Sequence, residues 1–384
     1  MLPAARISAA IEVLDRVLGG TALQPALTNW GRANRFAGSG DRAAIRDLVF
    51  DAWRCKRSYA ALGGGETGRG LMLGRLRAAG EDPDLVFTGE GHAPALVTDA
   101  DAARPASDLA ALDCPDWLAP RLQHSLGSEF TAIMQALQHR ASMFLRVNLA
   151  RATRDRVIAL LAAEGIEAAP HPLANTSLKV ITSSRKIMTT KPYLDGLVEL
   201  QDVASQAVVA DIPAQPGQKI LDFCAGGGGK TLALAARLDA NIWAYDAEAG
   251  RMRDLPVRAK RAGAKIGILP DPAQHAPYDV VLVDAPCSGS GSWRRDPAGK
   301  WALSEARLAD LVLLQADILK QAARLVADDG VLVYVTCSLL ADENQDQIAG
   351  FLRQEPAWQQ AKARHLTPLD GGDGFFSSIL TRKI

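Results

Sequence analysis

From about Gly217 onward, short β-branched runs alternate with longer helical stretches, and this alternation limits the possible folds more than any other feature of the chain. Strands are expected at residues 219–223, 241–245, 265–269, 279–283 and 331–335, separated by helix-like segments such as 304–327. Strand–helix–strand repetition of this kind predicts an α/β fold, a doubly wound parallel sheet with helices on both faces. The run Phe375-Phe376-Ser377-Ser378-Ile379-Leu380-Thr381 follows a Gly-Gly-Asp-Gly turn and is expected as an edge strand.

The front of the chain follows another pattern. Ile7, Ile11, Leu14, Val17 and Leu18, then Ile45, Leu48, Val49 and Trp53, recur at helical spacing, with Gly19-Gly20 as a stop, so residues 1–62 read as a small helical bundle. The glycine cluster 63–68 breaks it, and the acidic, Pro- and Asp-rich stretch 81–116 predicts long loops. Between 130 and 165 helical periodicity returns around a strand candidate, Phe144-Leu145-Arg146-Val147-Asn148. The expected domains are therefore 1–110, helical; 111–210, a small α+β segment; and 211–384, the parallel sheet.

Composition excludes several classes. Hydrophobic residues at 48% and charged residues at 22% are those of a folded protein, not a disordered one. No apolar stretch approaches membrane-span length, and Arg6, Glu12 and Asp15 interrupt the N-terminal candidate, so a soluble, cytoplasmic protein without membrane attachment is expected. The five cysteines, Cys55, Cys114, Cys224, Cys287 and Cys337, form no C-x-x-C pair, which argues against a disulfide framework and against a metal site. Lys+Arg 43 against Asp+Glu 43 leaves no net charge, so any nucleic-acid contact must come from local basic clusters.

The first expected strand runs into Cys224-Ala225-Gly226-Gly227-Gly228-Gly229-Lys230-Thr231 and then a helix, an arrangement that suits a nucleotide-like ligand at a helix N-terminus. A P-loop would need glycine at 224, and a dinucleotide fingerprint would need glycine at 231, so both patterns fail. Asp246 closes the second strand 246 − 226 = 20 residues on, where a carboxylate reaches the hydroxyls of an adenosine ribose; NAD and S-adenosylmethionine both satisfy that spacing. Cys224 follows the first strand, Cys287 the fourth (Asp284-Ala285-Pro286-Cys287) and Cys337 the fifth (Thr336-Cys337-Ser338). In the usual strand order these ends are neighbours, which puts the thiols and Asp284 in one crevice. Cys224 reads as a small buried hydrophobe, while Cys287 and Cys337, set among Gly, Pro and Ser just past strands, read as functional.

Asp284 to Gly291, Thr336-Cys337-Ser338, Leu221-Asp222-Phe223-Cys224-Ala225 and Gly228-Gly229-Lys230-Thr231 together resemble the motifs of RNA 5-methylcytosine methyltransferases, of the bacterial RsmB/Fmu type related to the Nop2/Sun proteins. The likeness extends through Arg146-Val147-Asn148, Gln201 to Gln206, Arg294-Arg295-Asp296-Pro297 with Lys300-Trp301, and Asp373 to Phe376, and covers roughly residues 110–384. Residues 4–18 and 41–53 resemble the NusB-like helical bundle that precedes the catalytic domain in that branch. One departure is that the family usually has Ala-Pro where this chain has Gly226-Gly227, which frees the loop and should weaken its grip on the cofactor.

The resemblance implies an S-adenosylmethionine-dependent enzyme with a Rossmann-like catalytic domain. Carbon 5 of cytosine is a weak nucleophile, so a thiolate, implied to be Cys337, first adds to carbon 6. Asp284 would hydrogen-bond or protonate ring nitrogen 3, and Cys287 would help release the product. The cofactor would be held by Cys224, Ala225, Gly226, Gly227, Gly228, Gly229 and Lys230, by Asp246 on the ribose, by Asp271 near the adenine, and by Asp284. Arg294, Arg295 and Lys300, beside Trp293, are expected to contact RNA, with a second basic cluster at 251–265. The expected substrate is small-subunit (16S) ribosomal RNA and the expected state a monomer. The same chemistry on transfer RNA, or an RNA-binding assembly factor without catalysis, stays open.

Overall fold

A computed structural model of the chain describes residues 1–182 and 184–383. The residues fall into two compact units, Met1–Arg140 with Trp293–Ala302, and Ala141–Ser292 with Leu303–Ile384.

The first unit is helical. Helices Pro3–Leu18, Leu23–Ala33, Ser39–Arg54, Lys56–Leu62 and Gly68–Ala78 enclose a core of Ile7, Val13, Leu14, Trp30, Ile45, Val49, Leu71, Met72 and Phe87. The first helix ends where the spacing predicts, with Gly19 as its C-cap and Gly20 at φ +99°. Residues 81–116 hold only short helical turns. Two features depart from the sequence reading. Residues 111–140, with helices Ala119–Leu126 and Phe130–Leu137, group with the helices before them, not with the α+β segment. The segment Trp293–Ala302, far downstream, joins this unit too, where Trp301 Nε1 donates to Trp53 O at 2.7 Å.

The second unit holds two sheets. Strands β1 (Phe144–Val147), β2 (Ala168–Pro170), β3 (Ser177–Val180) and β4 (Val198–Leu200) form an antiparallel sheet in the order β2-β3-β1-β4. Strands β5 (Lys219–Asp222), β6 (Asn241–Ala244), β7 (Gly267–Ile268), β8 (Tyr278–Asp284), β9 (Val326–Thr336), β10 (Trp358–Leu366) and β11 (Phe375–Arg382) form a seven-stranded sheet in the order β10-β11-β9-β8-β5-β6-β7. β5 to β9 are parallel, as expected, and β5 and β9 flank β8. Leu221, Val281, Val283, Leu332 and Tyr334 fill one face, and Ile220, Val280, Leu282, Val333 and Val335 the other, so both faces are buried, as a parallel sheet requires. The tail strand is not the edge: β11 is covered by β10, whose exposed, polar Gln-Gln-Ala-Lys-Ala-Arg-His run shows little hydrophobic alternation. Among the described residues no helix is long and apolar enough to cross a membrane.

Candidate active site

The carboxyl end of β5 opens the site. Asp222 is buried; its Oδ2 accepts a 2.6 Å hydrogen bond from Thr231 Oγ1, while Oδ1 has no protein partner. Burial pushes the Asp222 carboxyl up to about 7 against the lowering effect of Thr231. The chain then turns sharply, the Gly228 N–H donating to Ala225 O at 2.8 Å, and enters helix Gly229–Arg237. Asp246, past β6 and buried, accepts from the Gly226 N–H and the Glu248 N–H, each at 2.9 Å, so it ties the second strand to the glycine loop.

Gly226 sits at φ +50°, a conformation that L side chains rarely adopt, so the departure from the family's Ala-Pro goes with a backbone that needs glycine. Arginines occupy the space beside it. Arg258 donates to Gly227 O, and its Nη1 lies 3.2 Å from where a Cβ on residue 227 would sit. Arg258 is held in turn by the buried Glu199 of β4 at 3.1 Å. Arg146 of β1 donates to Gly229 O and to Gln201 Oε1, both at 2.7 Å. Arg146 of the small sheet and Arg258 of helix Leu255–Ala262, the latter braced by Glu199, therefore hold the loop at two carbonyls, which opposes the loosening expected from the missing proline.

Lys230, on the first turn of the helix, is buried and pairs with Asp284 Oδ2 at 2.7 Å; its Nζ also lies 5.1 Å from the Phe375 ring centroid. Burial pulls the Lys230 ammonium down, but the Asp284 charge and hydrogen bond more than offset this and raise it, so the lysine keeps its proton. A lysine committed to a carboxylate is not a triphosphate cradle.

The Sγ atoms of Cys287 and Cys337 lie 3.5 Å apart. The loops that carry them are stitched together: Gly291 N–H donates to Cys337 O and Gly374 N–H to Gly291 O, each at 2.9 Å. The hydrogen bond from Cys287 lowers the Cys337 thiol; burial and the Asp284 charge oppose it, and the Lys230 charge adds to it. The same hydrogen bond, then burial, pushes Cys287 up, so Cys337 ionises first with Cys287 as its proton-bearing neighbour. Cys224 is half-buried among Phe223, Trp243 and Tyr245, and burial raises its thiol strongly, as suits a packing residue.

Asp271 is exposed past β7, its Oδ1 accepting from Ala273 N–H at 2.9 Å as the cap of a short turn. Lys300 is 1% exposed; its Nζ donates to Arg54 O at 2.9 Å, and burial pulls the ammonium down to about 8. It is a packing residue of the helical unit and not a phosphate contact. Arg294 is buried, with Arg54 Nε donating to its carbonyl at 3.2 Å, and Trp293 is 1% exposed, so neither presents itself to RNA. Arg295 alone of the three expected basic residues is exposed.

The carboxylates of Asp222, Asp246 and Asp284 gather at the ends of β5, β6 and β8, one of them with an unpartnered buried oxygen. A cationic ligand with hydroxyls and an amino group fits that charge better than a polyphosphate does. Among the described residues no cluster has the makings of a metal site. Asp222, Thr231 and Arg146 bear on the glycine loop, and Glu343, Ser288 and Ser338 on the cysteines; all but Glu343 lie within or beside the motif residues in sequence. Glu343 in particular gave no sign of its partners, which lie up to 55 residues away.

The family model described as 16S rRNA methyltransferase RsmB/F matches residues 210–378, and the ferredoxin-like domain model of the RsmF/B-like methyltransferases matches 114–185. The ribosomal RNA small subunit methyltransferase B of Citrobacter koseri is 35% identical over 285 residues, 70% of this chain and 66% of that protein, so the chain matches just under two thirds of that relative's length. A crystal structure of PH0851 shares the fold with a TM-score of 0.76 at 23% identity over 100% of this chain and 99% of that one. A methyltransferase homologue from Pyrococcus horikoshii shares it with a TM-score of 0.63, also at 23% identity, over 72% and 97%. The chain belongs to the RsmB/F family of methyltransferases.

Proposed function

We propose that this chain methylates carbon 5 of cytosine in RNA, with small-subunit ribosomal RNA as substrate and S-adenosylmethionine as methyl donor. The observation that carries the reading is the pair of sulfurs 3.5 Å apart beside the Lys230–Asp284 ion pair. A binding protein has no physical need for two thiols of opposite proton affinity at the mouth of a sheet.

S-adenosylmethionine, when bound, supplies an electrophilic methyl group. The loop 224–230 and Asp246 would hold its adenosine, Asp271 would meet the adenine end through its second oxygen, and the Asp222 and Asp284 carboxylates would favour its positive charge. Cys337, the thiol that ionises first, adds to carbon 6 of the base and raises electron density at carbon 5. Asp284 would pass a proton, drawn from the Lys230 ammonium paired with it, to ring nitrogen 3 and so neutralise the charge that addition creates. Cys287 keeps its proton through addition, gives it up to solvent after methyl transfer, and as a thiolate would take the carbon 5 proton while Cys337 leaves carbon 6 as a thiolate. Arg295, with the exposed Arg253, Lys260 and Lys265, supplies phosphate contacts, and a paired cytosine would have to be extruded from its helix. The reading carries with it a monomeric, cytoplasmic enzyme without metal.

Incubation of the purified chain with methyl-labelled S-adenosylmethionine and unmodified small-subunit ribosomal RNA, followed by nucleoside analysis, tests this. Label is expected in 5-methylcytidine. Label in another nucleoside would overturn the chemistry, and label only on transfer RNA would overturn the substrate.

A further inference from the structure

Behind the two cysteine loops lies a buried carboxylate that the proposed reaction leaves unused. Glu343 is 0% exposed, at the end of the turn Ala341–Glu343. Its Oε1 accepts from the Ser288 N–H at 2.8 Å and from Gln315 Nε2 at 3.0 Å, and its Oε2 accepts from the hydroxyls of both Ser288 and Ser338. Ser288 and Ser338 directly follow Cys287 and Cys337. Gln315, also fully buried, donates to Pro286 O at 2.9 Å as well, so the cysteine-287 loop is held from both sides of the thiol. The next residue, Asn344, accepts from Thr336 Oγ1 at 2.6 Å and donates to Ser338 O at 2.9 Å, bracketing Cys337 in the same way.

A carboxylate buried among neutral donors costs several kcal/mol of desolvation, which only a full set of hydrogen bonds offsets. An apolar side chain would hold this turn at less cost, so stability alone does not account for the group. Its placement does: the four donors come from the two reactive loops and the helix behind them, and meet on one carboxylate.

We propose that Glu343 is a positioning residue for the methyl transfer, fixing the two cysteines sulfur to sulfur. The inference rests on the methyltransferase reading above. After the hydrogen bond with Cys337, burial and the Cys337 charge, the Glu343 charge is a further influence that holds the Cys287 thiol up.

Glu343→Gln in the full chain tests it, since glutamine keeps the shape but loses the charge and turns one acceptor into a donor facing donors. S-adenosylmethionine affinity should stay within about twofold, the KM for RNA should move little, and kcat should fall by about tenfold or more, because the sulfurs lose their fixed geometry. Iodoacetamide at neutral pH should label Cys337 ahead of Cys287 in the natural protein and lose that preference in the variant. The pair Ser288→Ala with Ser338→Ala keeps the charge but removes the hydroxyl straps; it should lower kcat and retain the labelling preference. Natural kcat and natural labelling preference in Glu343→Gln would overturn the proposal; if that variant does not fold, natural kcat in the serine pair would do so. The labelling arm needs no RNA, so a chain that methylates no cytosine sinks the methyltransferase reading while the labelling still decides the role of Glu343.

Discussion

Asp222 gives the site a pH dependence that can be read without substrate. In the unfolded chain its carboxyl loses the proton near the ordinary value of 3.8, in the folded chain only near about 7, so between those values the folded state holds a proton that the unfolded state has lost. Its contribution to stability is complete below about pH 4, falls as pH rises to about 7 and is flat above, by a few kcal/mol in total. Asp222→Asn, which does not ionise, should lack that slope: relative to the natural protein it should be more stable at pH 8 than at pH 5 in urea unfolding. Equal pH profiles would place the Asp222 carboxyl back in the ordinary range. At this scale the sequence was informative where motif residues follow strands, since Cys287 and Cys337, and Lys230 and Asp284, come together at the strand ends. It misled at Trp293, Arg294 and Lys300, because adjacency to a catalytic loop along the chain says nothing of which core a side chain enters. Glu343 was illegible because its hydrogen bonds join elements far apart in sequence.

Among elements, the parallel strands were visible because burial on both faces demands long β-branched runs, and β5, β6 and β8 lie within a residue of their expected bounds. β10 was invisible for the opposite reason. An edge strand avoids pairing with other chains by carrying charge, and Lys362 and Arg364 on β10 reach Asp211 at 2.8 and 2.7 Å, so its sequence resembles a solvated helix or loop. The glycine loop shows what a single position demands. Gly228 caps helix Gly229–Arg237 at φ +76°, and a Cβ there would lie 2.2 Å from Leu255 Cδ1. Gly228→Ala should therefore cost about 1–3 kcal/mol in backbone strain alone, lower Tm by several degrees, and weaken S-adenosylmethionine binding by about tenfold or more. Calorimetry on the variant checks both, and unchanged binding would mean that the loop does not touch the cofactor.

At the level of the whole molecule, the chain crosses between its two units more often than the sequence suggests. A composition shift marks a linker, but Trp293–Ala302 carries no such mark: it leaves the catalytic unit just after the cysteine-287 loop and returns before helix Glu305–Ala323. This alters how the catalytic unit can be isolated. A fragment beginning at 111 keeps helices Ala119–Leu126 and Phe130–Leu137 and the segment 293–302 but removes Trp53 and Arg54, to which Trp301 and Lys300 bond, and it should aggregate. A fragment of 141–384 with 293–302 replaced by a short glycine–serine linker should fold and bind S-adenosylmethionine within a few-fold of the full chain. If the first fragment were the better behaved, the unit boundary would lie where the sequence put it.

The central claim is that the two thiols do different work in one covalent reaction on RNA. A denaturing gel of Cys287→Ala and Cys337→Ala, each incubated with S-adenosylmethionine and substrate RNA, tests it most directly. With Cys337 as nucleophile and Cys287 serving release, Cys287→Ala should accumulate a methylated protein–RNA adduct that runs as a retarded band, and Cys337→Ala should form neither adduct nor product. A retarded band from Cys337→Ala alone would contradict the assignment, and no adduct from either variant, with methylation intact in both, would contradict the covalent mechanism.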